Sequence, residues 1–455
     1  MQGIKPTTFF FTAFCLIHLG WNASPLLAEN SGPPGWSTTG DLRTARINHT
    51  ATLLRDGKAL IAGGWDGSRE LASVELYLPN EGVFTEGPNL HEGRTNHTAT
   101  LLANGDVLVV GGQFQGRGLA SAEIYHPGQG TWTNAASLHV ARSYHTATLL
   151  ANGQVLVTGG TRVVPPPVFP QGAPPGSALD LAELYDPGTG KWTVTDNLHT
   201  ARYVHNAILL RDGKVMVTGG LGAGGGDELL ASVELFDPSS RTWTTGKSLI
   251  TPLVGHTSTL LANGQVLIAG GKPTIQSDTS EAELYLPASG TWKSTGSLHQ
   301  ERNAHTATTL PNGQILVAGG VNASGVLTGA ELYDPILAQW TKTDSMNKPH
   351  SLQTAILLNG GRVLIAGGGY AAGSPAFVQA SSELYTPLTE NSIPPSIHDS
   401  PSLLLSKPSS SHASPLLNLA ACFVILAAGM VILASSLAIL LSMALAFILI
   451  RNRNR

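Results

Sequence analysis

The chain has 455 residues, of which 12% are charged, and a formal net charge of −4 at pH 7. There is no long basic or acidic block, so the charge gives no reason to expect nucleic acid as a partner. Glycine is abundant, at 52 residues, and a glycine-rich chain of low charge with Val, Thr and Leu runs favours tightly turned β-structure.

The N-terminus has the pattern of a signal peptide. Lys5 is the only positive residue before an apolar stretch from about 9 to 19, and Ala28 offers a small residue for cleavage. We therefore predict a signal peptide over residues 1–28. The alternative is an uncleaved membrane anchor.

A diglycine recurs seven times, at intervals of about 50 residues, which indicates an internal repeat. Each diglycine follows a short apolar run such as "VLVVGG", and each run follows an Asn-Gly or Asp-Gly pair. These pairs favour a two-residue type I′ turn, so each unit is predicted to begin with a β-hairpin. The diglycines are Gly63-Gly64, Gly111-Gly112, Gly159-Gly160, Gly219-Gly220, Gly270-Gly271, Gly319-Gly320 and Gly367-Gly368.

Two further strands complete each unit. The third ends in Glu-Leu-Tyr or a near match, and the fourth contains a tryptophan, or Phe84 in the first unit. Four short strands repeated seven times predict an all-β, seven-bladed β-propeller. Because one such sheet cannot bury both faces alone, the units must stack and close into a ring. These tryptophans are Trp132, Trp192, Trp243, Trp292 and Trp340.

The segment "GWSTTGDL" at residues 35–42 supplies a strand that the last unit lacks. The seventh unit runs through Tyr385 and then has no tryptophan strand. Trp36 therefore predicts that the N-terminal strand pairs into the last blade, which closes the ring and protects the sheet edge. The prediction is one propeller domain over residues 33–388.

The repeat length, the diglycine, the tyrosine and the tryptophan together are the marks of the kelch repeat. The units resemble those of bacterial kelch proteins and the propeller of galactose oxidase. This resemblance implies either a binding module or an enzyme, because kelch propellers serve as both. Galactose oxidase chemistry would need a Tyr–Cys thioether at a copper site, and Cys15 and Cys422 both lie outside the predicted propeller. We therefore predict no cofactor and no metal.

A second motif, L-x-x-x-R-x-x-H-T-A, joins each fourth strand to the next unit. If the first strand of each blade is innermost, this motif rings one mouth of the channel, on the face with the variable loops. Arginines there could grip a carboxylate or sulfate. The predicted ligand-binding residues are Arg46, Arg94, Arg142, Arg202, Arg302 and, where the motif departs from Arg, His350.

The same motif also has a structural interpretation. Each unit keeps a glutamate in its third strand, which would be a suitable partner for a buried arginine. The histidines would then be hydrogen-bonded near the start of the inner strand. The glutamates are Glu75, Glu123, Glu183, Glu234, Glu283, Glu331 and Glu383, and the histidines are His49, His97, His145, His205, His256 and His305.

The repeated tyrosines and tryptophans are predicted to pack between blades. Aromatic side chains that could stack on a ligand are expected outside this framework instead. The candidates for this role are Phe114, Tyr144, Phe169, Tyr203 and Tyr370.

Beyond the propeller, a Ser/Pro-rich stretch over residues 389–415 is typical of an extended stalk. Residues 416–450 are almost wholly apolar and predict one tilted transmembrane helix. The basic tail at 451–455 would then lie on the cytoplasmic side. These features predict a single-pass type I membrane protein with its propeller in the periplasm or at the cell surface. A cleavable sorting signal is the alternative for this C-terminal segment.

The layout favours a recognition or adhesion module that binds a protein or glycan ligand outside the cytoplasm, through the loop-bearing mouth. A carbohydrate-active enzyme, oxidase- or epimerase-like but without the Tyr–Cys cofactor, is the alternative. The Arg, Glu and His types that kelch epimerases use occur here, but only at repeated positions. A scaffold in an envelope complex is a third interpretation.

Overall fold

The computed structural model describes residues 34–162, 177–224, 228–370 and 377–388. The predicted signal peptide, stalk, transmembrane helix and basic tail lie outside these residues. The chain divides into two units, Met1–Ile393 and Pro394–Arg455, and the second falls wholly outside the described residues. Among the residues described, no helix is long and apolar enough to cross a membrane.

Seven four-stranded antiparallel sheets make up the described fold, and each is one blade. The first strands are Thr50–Leu53, Thr98–Leu101, Thr146–Leu149, Asn206–Leu209, Thr257–Leu260, Thr306–Thr309 and Thr354–Leu357. The second strands are Ala59–Ala62, Val107–Val110, Val155–Thr158, Val215–Thr218, Val266–Ala269, Ile315–Ala318 and Val363–Ala366.

The outer half of each blade follows the same order. The third strands are Val74–Leu78, Ala122–His126, Ala182–Asp186, Val233–Asp237, Ala282–Leu286, Ala330–Asp334 and Ser382–Thr386. The fourth strands are Val83–Glu86, Thr131–Ala135, Lys191–Val194, Thr242–Thr245, Thr291–Ser294, Gln339–Lys342 and, in blade 7, Gly35–Thr38. Small two-stranded ribbons in the loops of blades 2, 6 and 7 pair Gln113–Phe114 with Arg117–Gly118, Val321–Asn322 with Gly325–Val326, and Gly369–Tyr370 with Phe377–Val378.

The predicted ring closure is confirmed. The strand Gly35–Thr38 pairs antiparallel with Ser382–Thr386, with Trp36 opposite Tyr385. Each first strand also contacts the first strand of the next blade, and the first strand of blade 7 contacts that of blade 1. The seven sheets therefore form a closed propeller in which the first strands surround the channel.

The core is divided among the seven blade interfaces. Second strands are buried along their whole length, because alternate side chains pack against the preceding and the following blade. Val107 and Val109 pack towards blade 1, whereas Leu108 and Val110 pack towards blade 3. In every blade the third-strand aromatic pairs with the fourth-strand aromatic, with ring centroids 4.8 to 5.1 Å apart. The repeated aromatics are therefore packing residues.

The hairpin turns differ in detail from the prediction. A type I′ turn needs a positive φ at both central residues. Here Gly57 has a φ of +86° while Asp56 does not have a positive φ, and the Gly57 N–H bonds the Leu54 carbonyl at 3.0 Å. The turn is therefore a three-residue loop, in which a type I turn is followed by a left-handed glycine. The two-residue type I′ prediction was wrong, although the hairpins themselves form.

The diglycines tie neighbouring blades together. The N–H of Gly112 donates to the carbonyl of Arg142 in the next blade at 2.9 Å. Gly111 has a φ of +59°, and an added Cβ would lie 2.7 Å from that carbonyl oxygen and 2.8 Å from His145 Cε1. Only glycine combines this backbone conformation with such a close approach.

Gly111→Ala is expected to destabilise the fold far more than Gly153→Ala. Both positions have a positive φ, which costs a side chain about 1–2 kcal/mol, but a Cβ on Gly153 would meet nothing within 4 Å. The clash at Gly111 adds about 1–3 kcal/mol of overpacking. Urea unfolding of both variants measures the difference in the free energy of unfolding. Equal losses of stability would contradict the prediction, because the blade contact at Gly111 would then accommodate the added methyl group without destabilising the fold.

Candidate functional site

The predicted ligand-binding arginines lie inside the blades. Arg142 is 0% exposed, and its Nη1 donates to the carbonyls of Gly159 at 3.1 Å and Leu181 at 2.9 Å. Its Nη2 donates to Glu183 Oε1 at 2.6 Å. Because the guanidinium joins the second and third strands, it fastens the sheet of its own blade. The same Arg–Glu pair forms between Arg46 and Glu75, Arg94 and Glu123, Arg202 and Glu234, and Arg302 and Glu331.

This geometry corrects the proposed role of these residues at the mouth. All five arginines are 0 to 1% exposed, so a ligand in the channel cannot reach their guanidinium groups. His350 is equally buried, with Nδ1 2.7 Å from the Gly367 carbonyl and Nε2 3.5 Å from Glu383 Oε1. Each guanidinium group satisfies buried carbonyls and a carboxylate, and His350 lies between one carbonyl and one carboxylate, which is the structural interpretation that the sequence also allowed. The six residues corrected in this way are Arg46, Arg94, Arg142, Arg202, Arg302 and His350.

The second oxygen of each paired glutamate has its own partners, which the sequence analysis missed. Glu183 Oε2 accepts from the backbone N–H of His139 at 2.9 Å and lies 2.6 Å from its Nδ1. The imidazole itself is about half exposed. The signal was the Leu-His dipeptide just before the arginine. Equivalent histidines are His91, His199 and His299.

Blade 5 lacks both the arginine and a polar side chain at the position of the half-exposed histidine. Leu253 replaces the arginine and Ile250 replaces the half-exposed histidine, so, among the described residues, Glu283 accepts only backbone N–H groups, including that of Ile250 at 3.0 Å. Burial raises the pKa of Glu283 as a result. The blade therefore holds a buried carboxyl group without a paired cation.

The repeated histidines form a ring that couples adjacent blades. His97 Nε2 is 3.0 Å from Thr50 Oγ1, so a side chain that begins one blade contacts the inner strand of the preceding blade. His145 contacts Thr98 in the same way, also at 3.0 Å. At the seventh position, Gln353 instead donates to the Ala318 carbonyl at 2.9 Å. These contacts support the predicted structural role of the histidines.

Burial keeps these imidazoles neutral. Desolvation, with the nearby arginines contributing, lowers the pKa of His49, His145 and His305 to about 3. Desolvation also lowers the pKa of His256 to about 4. Within the described ranges, no group of three or more His, Cys, Asp or Glu side chains is placed to hold a metal ion.

The mouth itself is built by the residue that precedes each histidine or, in blade 7, Gln353. The sequence did not reveal this as a repeated position, although Tyr144, which occupies it in blade 3, was among the stacking candidates. All seven have a positive φ, between 50° and 66°. Six backbone hydrogen bonds of 3.1 to 3.3 Å link them head to tail around the channel. Their side chains differ from blade to blade and are partly exposed. These mouth residues are Asn48, Asn96, Tyr144, Val204, Gly255, Ala304 and Leu352.

A cavity of about 240 Å³ opens at one side of this mouth. It spans blades 2 to 5 and leaves blades 6, 7 and 1 outside. Tyr144 was expected to offer a stacking surface, and it does line the cavity. Burial raises its pKa to about 12, so the phenol is neutral. The lining residues are Asn96, His97, Tyr144, His145, Val204, His205, Asn206, Gly255 and His256.

The other stacking candidates have different outcomes. Tyr203 is 1% exposed and packs with Leu221 and Val254 in a small apolar cluster beside the cavity. Phe114 is partly buried in the loop ribbon of blade 2. Phe169 and the side chain of Tyr370 lie outside what the structure describes. Of the three candidates whose side chains the structure describes, Tyr144 is the one placed against the cavity.

The fold and the site together define a class of protein. It is a closed seven-bladed β-propeller whose mouth residues differ from blade to blade. A model of the Kelch motif matches residues 48–91, 94–139 and 302–347. These segments cover most of blades 1, 2 and 6. The chain therefore carries kelch motifs, as the sequence resemblance implied.

Two curated proteins are similar in sequence to part of this chain. Kelch-like protein 34 of Homo sapiens is 39% identical over 88 residues, which are 19% of this chain and 13% of that protein. Spermatocyte protein spe-26 of Caenorhabditis elegans is 38% identical over 90 residues, which are 20% of this chain and 15% of that protein. The match spans less than a sixth of either relative.

Two solved structures share the fold. One, described as a fungal alcohol oxidase of the AA5 family in complex with copper, has a TM-score of 0.63 at 18% identity, covering 80% of this chain and 79% of that one. The other, YjhT, has a TM-score of 0.53 at 16% identity, covering 68% of this chain and all of that one. At these identities the likeness concerns the fold alone.

Proposed function

We propose that the propeller is a recognition module that binds a protein partner on its mouth face. One observation carries the proposal: the framework of each blade repeats closely, whereas the mouth residues differ in size and polarity. A rigid scaffold that carries variable side chains on one face is the usual layout of a binding surface. Kelch motifs are commonly found in protein-binding modules, which agrees with this assignment.

The alternative of a carbohydrate-active enzyme has weaker support. An oxidase of the galactose oxidase kind would need a Tyr–Cys thioether, and residues 34–388 contain no cysteine. An epimerase would need reachable Arg, Glu and His groups. The repeated arginines and glutamates are instead buried and paired with each other. Recognition therefore remains the better supported proposal.

A capture experiment tests the proposal. Tyr144→Gly and Leu352→Gly change two mouth residues, and glycine tolerates the positive φ there, as Gly255 does in blade 5. We expect the immobilised full chain to retain a partner that this double variant loses. Lys58→Ala with Lys214→Ala, in hairpin loops at the opposite ends of the inner strands, is the matched control and should still capture it. Loss only in the control would contradict binding at the mouth.

We propose further that the propeller lies outside the cytoplasm, held by a type I transmembrane helix at 416–450 behind the 389–415 stalk. The support is the apolar segment followed by a basic tail, together with the signal-like N-terminus. Protease added to intact cells is expected to remove the propeller and to leave a membrane-bound C-terminal fragment. Full protection in intact cells, with cleavage after lysis, would contradict this location.

A further inference from the structure

We propose that the mouth cavity binds a neutral, hydroxyl-rich group about the size of one sugar ring. This inference rests on the proposed recognition function, because it concerns the same face. It adds the chemistry of the group that a ligand would present there. The argument combines a break in the ring of mouth residues, an uncharged lining and an apolar wall.

The break lies between blades 4 and 5. Successive mouth residues bond head to tail, as in the N–H of Val204 to the Tyr144 carbonyl at 3.1 Å and of Ala304 to the Gly255 carbonyl at 3.1 Å. The corresponding bond from the N–H of Gly255 to the carbonyl of Val204 does not form among the described residues. A backbone donor and a backbone acceptor are therefore available at the cavity, which Val204 and Gly255 both line.

The lining offers hydrogen bonds without charge. None of the described residues around the cavity is acidic, and its only basic groups are imidazoles. Burial lowers the pKa of all four of these, so that they are neutral at pH 7. Asn96 Nδ2 is buried, and the Asn96 side chain hydrogen-bonds Tyr144, so the donor without a partner at this cavity is the backbone N–H of Gly255 among the described residues. A donor of this kind gains from a ligand that accepts a hydrogen bond.

A charged ligand does not fit this environment. A carboxylate, phosphate or ammonium would lose its hydration and find no opposite charge among the lining side chains. The hydroxyl groups of a sugar, by contrast, both donate and accept, and they match the free backbone groups of Val204 and Gly255. The amides of Asn96 and Asn206 keep their bonds to Tyr144 and the His256 carbonyl and offer their remaining hydrogen-bonding capacity. The cavity volume of about 240 Å³ is also below the usual range for a drug-sized ligand. A single ring suits this space better than an extended chain.

One wall of the cavity is apolar. Tyr144 and Val204 are partly buried and pack on the cluster of Tyr203, Leu221 and Val254. Ala178 and Leu229, from the described parts of the loops of blades 3 and 4, pack on the same cluster. An aromatic ring beside amide groups combines an apolar contact surface with hydrogen-bonding partners. The C–H face of a sugar ring would lie against this wall while its hydroxyl groups meet the amides.

Ligand-observed NMR on the full chain tests the inference. The neutral probes are D-galactose and N-acetyl-D-glucosamine, and the charged counterparts are D-glucosamine and gluconate. We expect saturable binding of a neutral probe and not of the charged ones. Tyr144→Gly and Asn206→Thr should each weaken binding about tenfold or more. Threonine is the residue at the position of Asn206 in the other six blades, so this variant keeps the framework.

Lys58→Ala, in a hairpin loop at the opposite end of the inner strands, is the matched control and should bind the neutral probe as the unchanged chain does. Three results would overturn the inference: no neutral probe binds, a charged probe binds equally well, or Tyr144→Gly leaves the affinity unchanged. Protein capture by the same variants separates this outcome from the proposed function. If capture still depends on the mouth residues while no sugar binds, recognition stands and the saccharide assignment fails.

Discussion

Lowering the pH from neutral to about 4 is expected to unfold the propeller, because six buried histidines must stay neutral for it to fold. Their ordinary pKa is 6.5, and burial lowers it to about 3 in His49, His145 and His305 and to about 4 in His256. Burial also lowers the pKa of His97 and His205 well below the usual value.

The sign follows from proton uptake. Between pH 6.5 and about 4 the unfolded chain protonates these histidines and the folded chain does not, so the free energy of unfolding falls as the pH falls. Each histidine contributes up to about 1.4 kcal/mol per pH unit. Six together exceed the usual domain stability of about 5–15 kcal/mol within a few pH units. Glu283, whose pKa burial raises, acts in the opposite direction, but it is one group against six.

His305→Gln is the matched test of this effect. Gln353 already occupies the seventh position of the ring and donates to the Ala318 carbonyl there, so glutamine suits the geometry. At pH 7 the variant should lose little stability. The free energy of unfolding, measured by urea denaturation from pH 7 to about 4, should then fall less steeply than that of the unchanged chain. The difference in slope should be up to about 1.4 kcal/mol per pH unit, because the variant takes up one proton fewer on unfolding. Parallel curves would contradict a neutral buried His305.

The ring and its closure could be predicted from the sequence because both depend on local periodicity. Hairpin turns, the diglycine and the Tyr–Trp pair recur at fixed offsets, and Trp36 matched the one strand that was missing. Where these patterns repeat, each residue meets the same neighbours in every blade. The turn type was predicted wrongly, because an Asn-Gly pair does not distinguish a two-residue turn from a three-residue loop with a left-handed glycine.

The site was harder to predict because the sequence does not show how deep a side chain lies. Arg142 sits in the linker near the mouth, yet its long side chain turns inward to the Gly159 carbonyl and Glu183. The mouth is set instead by seven residues with a positive φ, six of which are not glycine, such as Tyr144 and Val204. Such residues carry no reliable sequence signature, since the φ is imposed by the surrounding backbone ring. Their one visible signal is variation inside an otherwise regular motif.

Arg302→Leu is expected to destabilise the propeller by about 3–5 kcal/mol, because it leaves Glu331 buried without its cation. Arg302 is 1% exposed, its Nη2 lies 2.9 Å from Glu331 Oε1, and its Nη1 donates to the Gly319 carbonyl at 2.7 Å. Leucine is the residue that blade 5 carries here, so side-chain shape alone does not prevent folding. Urea unfolding at pH 7 measures the loss.

The double variant Arg302→Leu, Glu331→Gln separates charge from packing. Glutamine removes the unpaired negative charge, so the double variant should recover a large part of the stability that Arg302→Leu loses. The reciprocal change, Leu253→Arg, gives Glu283 the cation that its blade lacks and should remove the upward pKa shift of that carboxyl group. If Arg302→Leu costs less than about 1 kcal/mol, as an exposed ion pair would, the arginine is not the buried clamp of its blade. Its place at the mouth would then have to be reconsidered.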